Sequence, residues 1–252
     1  MSPPSISRNP GCALFLDVDG TLLDIAETPE SVHVPAELKT LLLDLTSKLE
    51  GALALVSGRS IASLDALFSP LRLCASGVHG CERRDASGLL VRPTIEPEAL
   101  DVVRGELQRF VDLNPDLILE DKGFGLAMHF RRVPQMSGDV FMLMRRMCQR
   151  LGPRFTLQSG KCVLEIRPTG FSKGTSIAEF MRQTPFTGRT PVFLGDDLTD
   201  EDGFAVVNDL GGVSIKVGNA STTLAKRQLP GVREVRRWLQ AMPAAFPAET
   251  IA

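Results

Sequence analysis

The segment Ala13-Leu14-Phe15-Leu16-Asp17-Val18-Asp19-Gly20-Thr21 is apolar for four residues, then sets two carboxylates around a valine, then reaches a glycine. An apolar run this short, closed by a turn signal, reads as a strand buried on both faces. Two carboxylates two positions apart in an extended segment project the same way. Asp17 and Asp19 therefore crowd like charge at the strand's end, which is costly without a cation. Open α/β sheets bind ligands beyond the carboxyl ends of their strands, and the pair falls there. A plainer reading is an Asp-rich strand-to-turn connection in which Gly20 supplies a positive φ.

Outward from this strand the chain alternates. Residues 35–49 set Leu38, Leu41, Leu42, Leu45 and Leu49 at helical spacing behind a proline suited to a first turn, which predicts an amphipathic helix. A strand follows at 52–56, a helix at 60–68 and a strand at 72–75. The alternation resumes late, with helices over 173–182, 200–210 and 232–242 and strands at 191–194 and 213–217. Strands alternating with helices predict a parallel sheet covered on its faces, an α/β fold.

Between these halves the texture changes. Leu100, Val103, Leu107, Phe110 and Val111 mark one helix, and Val140, Met144, Met147 and Leu151 another. Segments 117–120, 125–131, 155–158 and 161–167 alternate like antiparallel strands. The expectation is an inserted α+β domain, 92–169, whose four strands carry two helices on one face. It interrupts a sheet domain made of 1–91 and 170–252. A length of 252 residues, between one large domain and two small ones, is accounted for in this way.

Composition narrows the chemistry. Lys plus Arg number 28 and Asp plus Glu 30, a net charge of −2, so a nucleic-acid partner, which selects a basic excess or stripe, is not expected. The five cysteines (Cys12, Cys74, Cys81, Cys148, Cys162) are odd in number and contain no C-x-x-C pair, which argues against a disulfide framework or a zinc site. His33, His79 and His129 are too dispersed for a His-rich metal centre, so any metal is expected on oxygen ligands. No basic-then-apolar leader opens the chain and no apolar window approaches about 18 residues, so neither a signal peptide nor a membrane partner is read, and a cytoplasmic location is expected.

Three further motifs carry chemistry. Gly195-Asp196-Asp197-Leu198-Thr199-Asp200-Glu201 follows another apolar strand, and two acidic loops ending two strands of one sheet can converge on a hard cation such as Mg²⁺. Read alone, its acids favour a helix N-terminus. Ser57-Gly58-Arg59 ends a strand and opens a helix, where N–H groups and a hydroxyl make a phosphate cradle; equally, Ser57 and Ser60 can cap that helix. Lys173 opens a later helix in Phe171-Ser172-Lys173-Gly174, and is either a point charge beside the carboxylates or a solvated lysine.

In this order, D-x-D-G-T, S-G-R, a helix-opening lysine and G-D-D-x-x-D-E resemble the haloacid dehalogenase superfamily of aspartate-nucleophile phosphatases. Within it the chain is similar to the trehalose-phosphatase family, through the segments just quoted together with Gly77-Val78-His79-Gly80, Gly160-Lys161 and Glu165-Ile166-Arg167-Pro168. The likeness runs from about residue 14 to 219. It implies a Rossmann-like parallel-sheet core with an inserted cap of the C2 type, and Mg²⁺-dependent hydrolysis of trehalose 6-phosphate through an aspartyl phosphate. Asp17 is then the nucleophile and Asp19 the general acid and base. Mg²⁺ is bound by Asp17, the Asp19 carbonyl and Asp196, with Asp197 in or beside the shell. Ser57, Gly58 and Lys173 hold the phosphoryl group. Arg59 and His79 join the substrate-binding set.

The insertion gains a purpose from the same comparison. Strand periodicity puts His129 and Arg131 opposite Met128 and Phe130, and Lys161, Glu165 and Arg167 opposite Cys162, Leu164 and Ile166. One face suits the helices. The other is either plain solvated surface or a lid that reads sugar hydroxyls through Lys161, Glu165, His129 and Arg131. A monomer acting on a small disaccharide phosphate is expected. A phosphatase for mannosyl-3-phosphoglycerate or sucrose phosphate, and a non-catalytic sugar-phosphate-binding module, remain as alternatives.

Overall fold

The computed structural model describes residues 11–25, 32–93, 97–160, 162–219 and 222–242. It divides into two compact units, Met1–Val91 with Ser172–Ala252, and Arg92–Phe171. Among the described residues no helix is long and apolar enough to cross a membrane.

The first unit is an eight-stranded sheet. Its strands are β1 (Cys12–Leu16), β2 (Leu53–Val56), β3 (Cys74–Gly77), β4 (Glu82–Arg84), β5 (Leu90–Val91), β10 (Thr190–Gly195), β11 (Val213–Val217) and β12 (Arg227–Leu229), numbered along the chain. The order across the sheet is β12-β11-β10-β1-β2-β3-β4-β5. Neighbours from β12 to β3 pair in parallel, and β4 and β5 turn back antiparallel at one edge. The helices of this unit are α1 (Ala36–Lys48), α2 (Ile61–Phe68), α5 (Lys173–Met181), α6 (Glu201–Asp209) and α7 (Val232–Gln240).

β1 is central and its five residues are all buried, as an uninterrupted apolar run requires. The chain leaves it toward β2 on one side and reaches β10 and β11 on the other, so right-handed crossovers place α1 and α6 on opposite faces. Phe15 stacks on Phe186 at 5.4 Å and meets Phe180 of α5 at 6.0 Å; Phe193, its register partner on β10, meets Phe204 of α6 at 5.3 Å. One aromatic layer thus fixes α5 and α6 on the same face. The reversal of strand order at β1 and β10 leaves a crevice at their carboxyl ends, where Asp17 and Asp196 emerge.

The second unit is the four-stranded antiparallel sheet β6-β7-β9-β8, formed by β6 (Ile118–Asp121), β7 (Leu126–His129), β8 (Phe155–Gly160) and β9 (Val163–Pro168). Helices α3 (Pro97–Asp112) and α4 (Ser137–Leu151) complete it. Leu100, Val103 and Leu107 of α3 and Val140, Met144 and Met147 of α4 share a core with Leu126, Met128, Leu164 and Ile166. The alternation of β7 and β9 therefore faces the helices as its period predicts.

The short strands and two strand boundaries differ from expectation. Strands β4, β5 and β12 are too short for a periodicity signal. The strand expected at 72–75 lies at Cys74–Gly77, because Arg72 is exposed. The strand expected from 161 starts at Val163, because Cys162 takes φ +60° in the turn between β8 and β9.

Candidate active site

Asp17 extends β1 by one residue: its N–H donates to the Leu194 carbonyl of β10 at 3.0 Å, and it is 4% exposed. The chain then folds tightly on itself. Leu22 and Leu23 N–H groups donate to the Val18 carbonyl, and Gly20 N–H donates to Leu23 at 2.7 Å. Gly20 has φ +87°, and a Cβ there would lie 2.1 Å from the Asp196 carboxylate. Glycine is required on both counts. The tight turn brings Asp196 in from β10, with Thr21 Oγ1 donating toward Asp196 Oδ1 at 3.4 Å.

Lys173 enters at the first turn of α5. The Ser172 side chain accepts from Thr175 N–H at 3.1 Å, while Thr175 Oγ1 accepts from Ser172 N–H at 2.9 Å, a reciprocal cap that fixes the helix start. The Lys173 ammonium donates to Asp17 Oδ1 at 2.7 Å and to Asp200 Oδ1 at 2.6 Å. Asp200 is fully buried and its other oxygen accepts from Asp197 N–H at 2.9 Å. Carboxylate oxygens of Asp17, Asp196 and Asp200 all lie within 4.8 Å of one another.

This cluster is short of positive charge. Burial, reinforced by Asp200 and Asp196, pushes the Asp17 carboxyl well above its ordinary range despite Lys173. Burial and the Asp200 charge raise Asp196 to about 6. Burial works against the Lys173 charge, but Asp17 and Asp200 outweigh it and hold the ammonium above its usual pKa. Three hard oxygen donors around an excess of buried negative charge match a small divalent cation such as Mg²⁺.

Asp197, expected in or beside the ion's shell, adjoins the cluster through its N–H bond to Asp200, but its carboxylate is not one of the three grouped oxygens. It is exposed, and its side chain accepts from Leu198 N–H at 2.7 Å, capping the short 3₁₀ turn Leu198–Asp200. The third carboxylate of the cluster is Asp200, which in the sequence stands out only as part of the 195–201 motif. Its four-residue offset from Asp196 was the available signal. Likewise the Asp19 carboxylate turns to Arg59, whose Nε and Nη2 each donate to it at 2.7 Å. Arg59, expected to bind substrate, is a bidentate partner of the expected proton donor.

Ser57 and Gly58 leave β2 beside Asp17, since Leu16 registers with Leu55. Ser57 is buried, and its hydroxyl accepts from Arg59 N–H at 3.1 Å. The cap of α2 is Ser60, which accepts from Ser63 N–H at 3.1 Å, so Ser57 is not consumed as the helix cap. Behind this loop, Val78 and His79 hold φ of +48° and +50°, a conformation that costs a β-branched residue on the order of 1–3 kcal/mol and that clusters at functional sites. A Cβ on Gly58 would lie 2.7 Å from the His79 ring. The strained turn therefore lays the imidazole against the cradle.

The remaining expected residues belong to the second unit. On the sheet face away from the helices, His129 Nε2 meets Glu120 Oε2 at 2.9 Å, and Lys122 donates to Glu165 Oε2 at 2.9 Å. The hydrogen bond from His129 is the main cause holding Glu120 below its usual carboxylate range. Glu165 is buried rather than solvated, contrary to an exposed polar face. Arg131 lies past the end of β7 and is exposed. Lys161 lies outside the described residues. Glu120 and Lys122, which the strand pattern did not single out, complete this charged face with their partners.

Comparisons with known proteins identify the family. The trehalose-phosphatase family model matches residues 15–232. The trehalose-6-phosphate phosphatase of Escherichia coli (strain K12) is 46% identical over 234 residues, covering 93% of this chain and 87% of that protein. A solved structure described as a trehalose-6-phosphate phosphatase related protein superposes with TM-score 0.74 at 27% identity, covering 90% of this chain and 95% of that one. A haloacid dehalogenase-like hydrolase from B. subtilis shares the fold at TM-score 0.64 and 15% identity, over 92% of this chain and all of that one. A matched span that includes both acidic loops, the Ser57 cradle and Lys173 shows that the chain is a phosphatase and belongs to the trehalose-phosphatase family.

Proposed function

We propose that this enzyme hydrolyses trehalose 6-phosphate to trehalose and inorganic phosphate, with Asp17 as nucleophile and Mg²⁺ as cofactor. The observation that carries the reading is the buried Asp17–Lys173–Asp200 arrangement with Asp196 beside it, at the switch point of the sheet in a chain of this family. Asp17, Asp196 and Asp200 are the side chains that would hold the ion. When bound, Mg²⁺ supplies charge neutralisation for the phosphoryl oxygens and their placement against Asp17.

The chain's own residues account for the other roles. An Asp17 carboxylate oxygen attacks phosphorus, forming an O–P bond as the bond from phosphorus to the sugar oxygen breaks. The sugar oxygen keeps that electron pair and takes a proton from Asp19. Water then attacks the aspartyl phosphate and gives a proton to Asp19, phosphate leaves, and the carboxylate of Asp17 is restored. In the structure both Asp19 oxygens accept from Arg59, so the proton-transfer role requires Arg59 to release one of them. An arriving phosphoryl group, itself a strong guanidinium partner, competes for Arg59 in that way. Lys173 neutralises Asp17 and the transferring oxygens, and Ser57 with the N–H groups opening α2 orients them.

The polar face of the second unit, with Glu165, Lys122, His129 and Glu120, supplies the sugar contacts in this reading. The test is phosphate release from trehalose 6-phosphate, sucrose 6-phosphate and glucose 6-phosphate, with and without Mg²⁺. The expected order puts trehalose 6-phosphate first by at least about tenfold in kcat/KM, and only with the ion. Preference for either of the other two overturns the substrate assignment.

A further inference from the structure

Lys216 is a buried cation to which the chemistry above gives no part. It lies on β11, 6% exposed, in a strand buried along its whole length. Burying an ammonium costs several kcal/mol unless it is well partnered, and an apolar side chain of similar length avoids that cost. Its partners are informative. The ammonium reaches the Asp197 carbonyl at 3.3 Å and Glu201 Oε1 at 3.7 Å, and stands 6.0 Å from the Phe204 ring centre. Register places it beside Gly195, the last residue of β10 before Asp196.

Glu201 is in turn fixed from the far side. Its carboxylate accepts from Thr223 Oγ1 at 2.8 Å and from Leu224 N–H at 2.7 Å. The loop 195–201 is thus held at both ends of one residue: Asp197 N–H donates to Asp200, and the Asp197 carbonyl accepts from Lys216. Asp196 sits immediately before that clamp and Asp200 forms part of it. Lys216 meets this loop through the Asp197 carbonyl and the Glu201 carboxylate, one on each side of Asp200.

We propose that Lys216 is a positioning residue for the ion-binding carboxylates, acting through the Asp197 carbonyl and Glu201 to hold Asp196 and Asp200 at the spacing that a divalent cation requires. This rests on the reading of the Asp17, Asp196 and Asp200 cluster as the Mg²⁺ site. A preorganised donor set binds an ion more tightly than one that must be ordered on binding, and supporting groups of this kind are worth about 10- to 100-fold in metal affinity.

The experiment titrates Mg²⁺ calorimetrically into ion-free wild type, Lys216→Met, Glu201→Gln, Val213→Ala and Asp196→Asn. Lys216→Met is expected to weaken Mg²⁺ binding about tenfold and to raise the Mg²⁺ concentration giving half-maximal turnover in proportion. Its KM for trehalose 6-phosphate at saturating Mg²⁺ is expected to stay within about twofold of wild type. Glu201→Gln, which keeps one carbonyl oxygen to accept from Leu224 N–H and loses the charge that holds Lys216, shifts Mg²⁺ affinity the same way by less. It decides the matter if Lys216→Met does not fold. Val213→Ala, on the same strand, lowers stability and leaves Mg²⁺ affinity unchanged; a loss there equal to that of Lys216→Met reduces Lys216 to a structural ion pair and overturns the proposal. Wild-type Mg²⁺ affinity in Lys216→Met, or in Glu201→Gln should the first not fold, overturns it as well. Asp196→Asn separates the two claims, since unchanged binding there contradicts the ion site itself.

Discussion

Gly20 shows how one residue can serve geometry and chemistry together. Its φ of +87° closes the turn after β1, and its missing Cβ admits the Asp196 carboxylate. Gly20→Ala introduces both a left-handed alanine and a clash at 2.1 Å, and is expected to cost about 1–3 kcal/mol in urea denaturation. Mg²⁺-dependent activity falls more steeply, because the displaced group is Asp196. A variant with normal Mg²⁺ affinity would show that the close approach does not matter. The carboxyls of Asp17 and Asp196 make a second prediction. Both are raised in the folded protein, Asp196 to about 6, above an unfolded value of about 4. A raised acid favours the folded state while protonated, so this contribution is complete below the unfolded pKa and is lost as pH rises through about 6. A cation replaces the lost protons. The rise in Tm produced by Mg²⁺ is therefore expected to be larger at about pH 7.5 than at about pH 5, and equal increments at the two pH values would contradict a cation held by these acids.

At the scale of elements, legibility followed the strength of the period. β1, β10 and β11 are apolar runs between turn signals, and α1, α3 and α4 carry clear helical stripes, so each was readable. β4, β5 and β12, of three, two and three residues, lie toward the sheet's edges and are defined by pairing rather than by pattern. The same limit explains Asp200. Its role comes from Lys173 crossing from α5, a contact 27 residues away in sequence, so the four-residue offset from Asp196 points to a shared loop but not to the lysine. In the inserted sheet, face assignment was legible, but the burial of Glu165 was not, because it depends on Lys122 arriving from beyond β6. Glu165→Gln keeps the shape while removing the charge. It is expected to raise KM for trehalose 6-phosphate about tenfold and to change KM for an aryl phosphate by less than about twofold. Equal effects on both substrates would remove this face from sugar recognition.

Across the whole molecule, a mostly parallel sheet and an antiparallel one are stabilised by separate cores. The division of labour proposed above assigns the phosphoryl chemistry to the first and sugar discrimination to the second. Everything in the first converges on Asp17: β1 delivers it, Lys173 neutralises it, and Asp196 and Asp200 surround it. The most direct measurement is phosphate release from trehalose 6-phosphate by Asp17→Asn at saturating Mg²⁺, with Tm recorded on the same sample. The account predicts a fall on the order of 10⁴-fold or more in kcat with a cooperative unfolding transition retained. Turnover near wild type in a folded Asp17→Asn would contradict it.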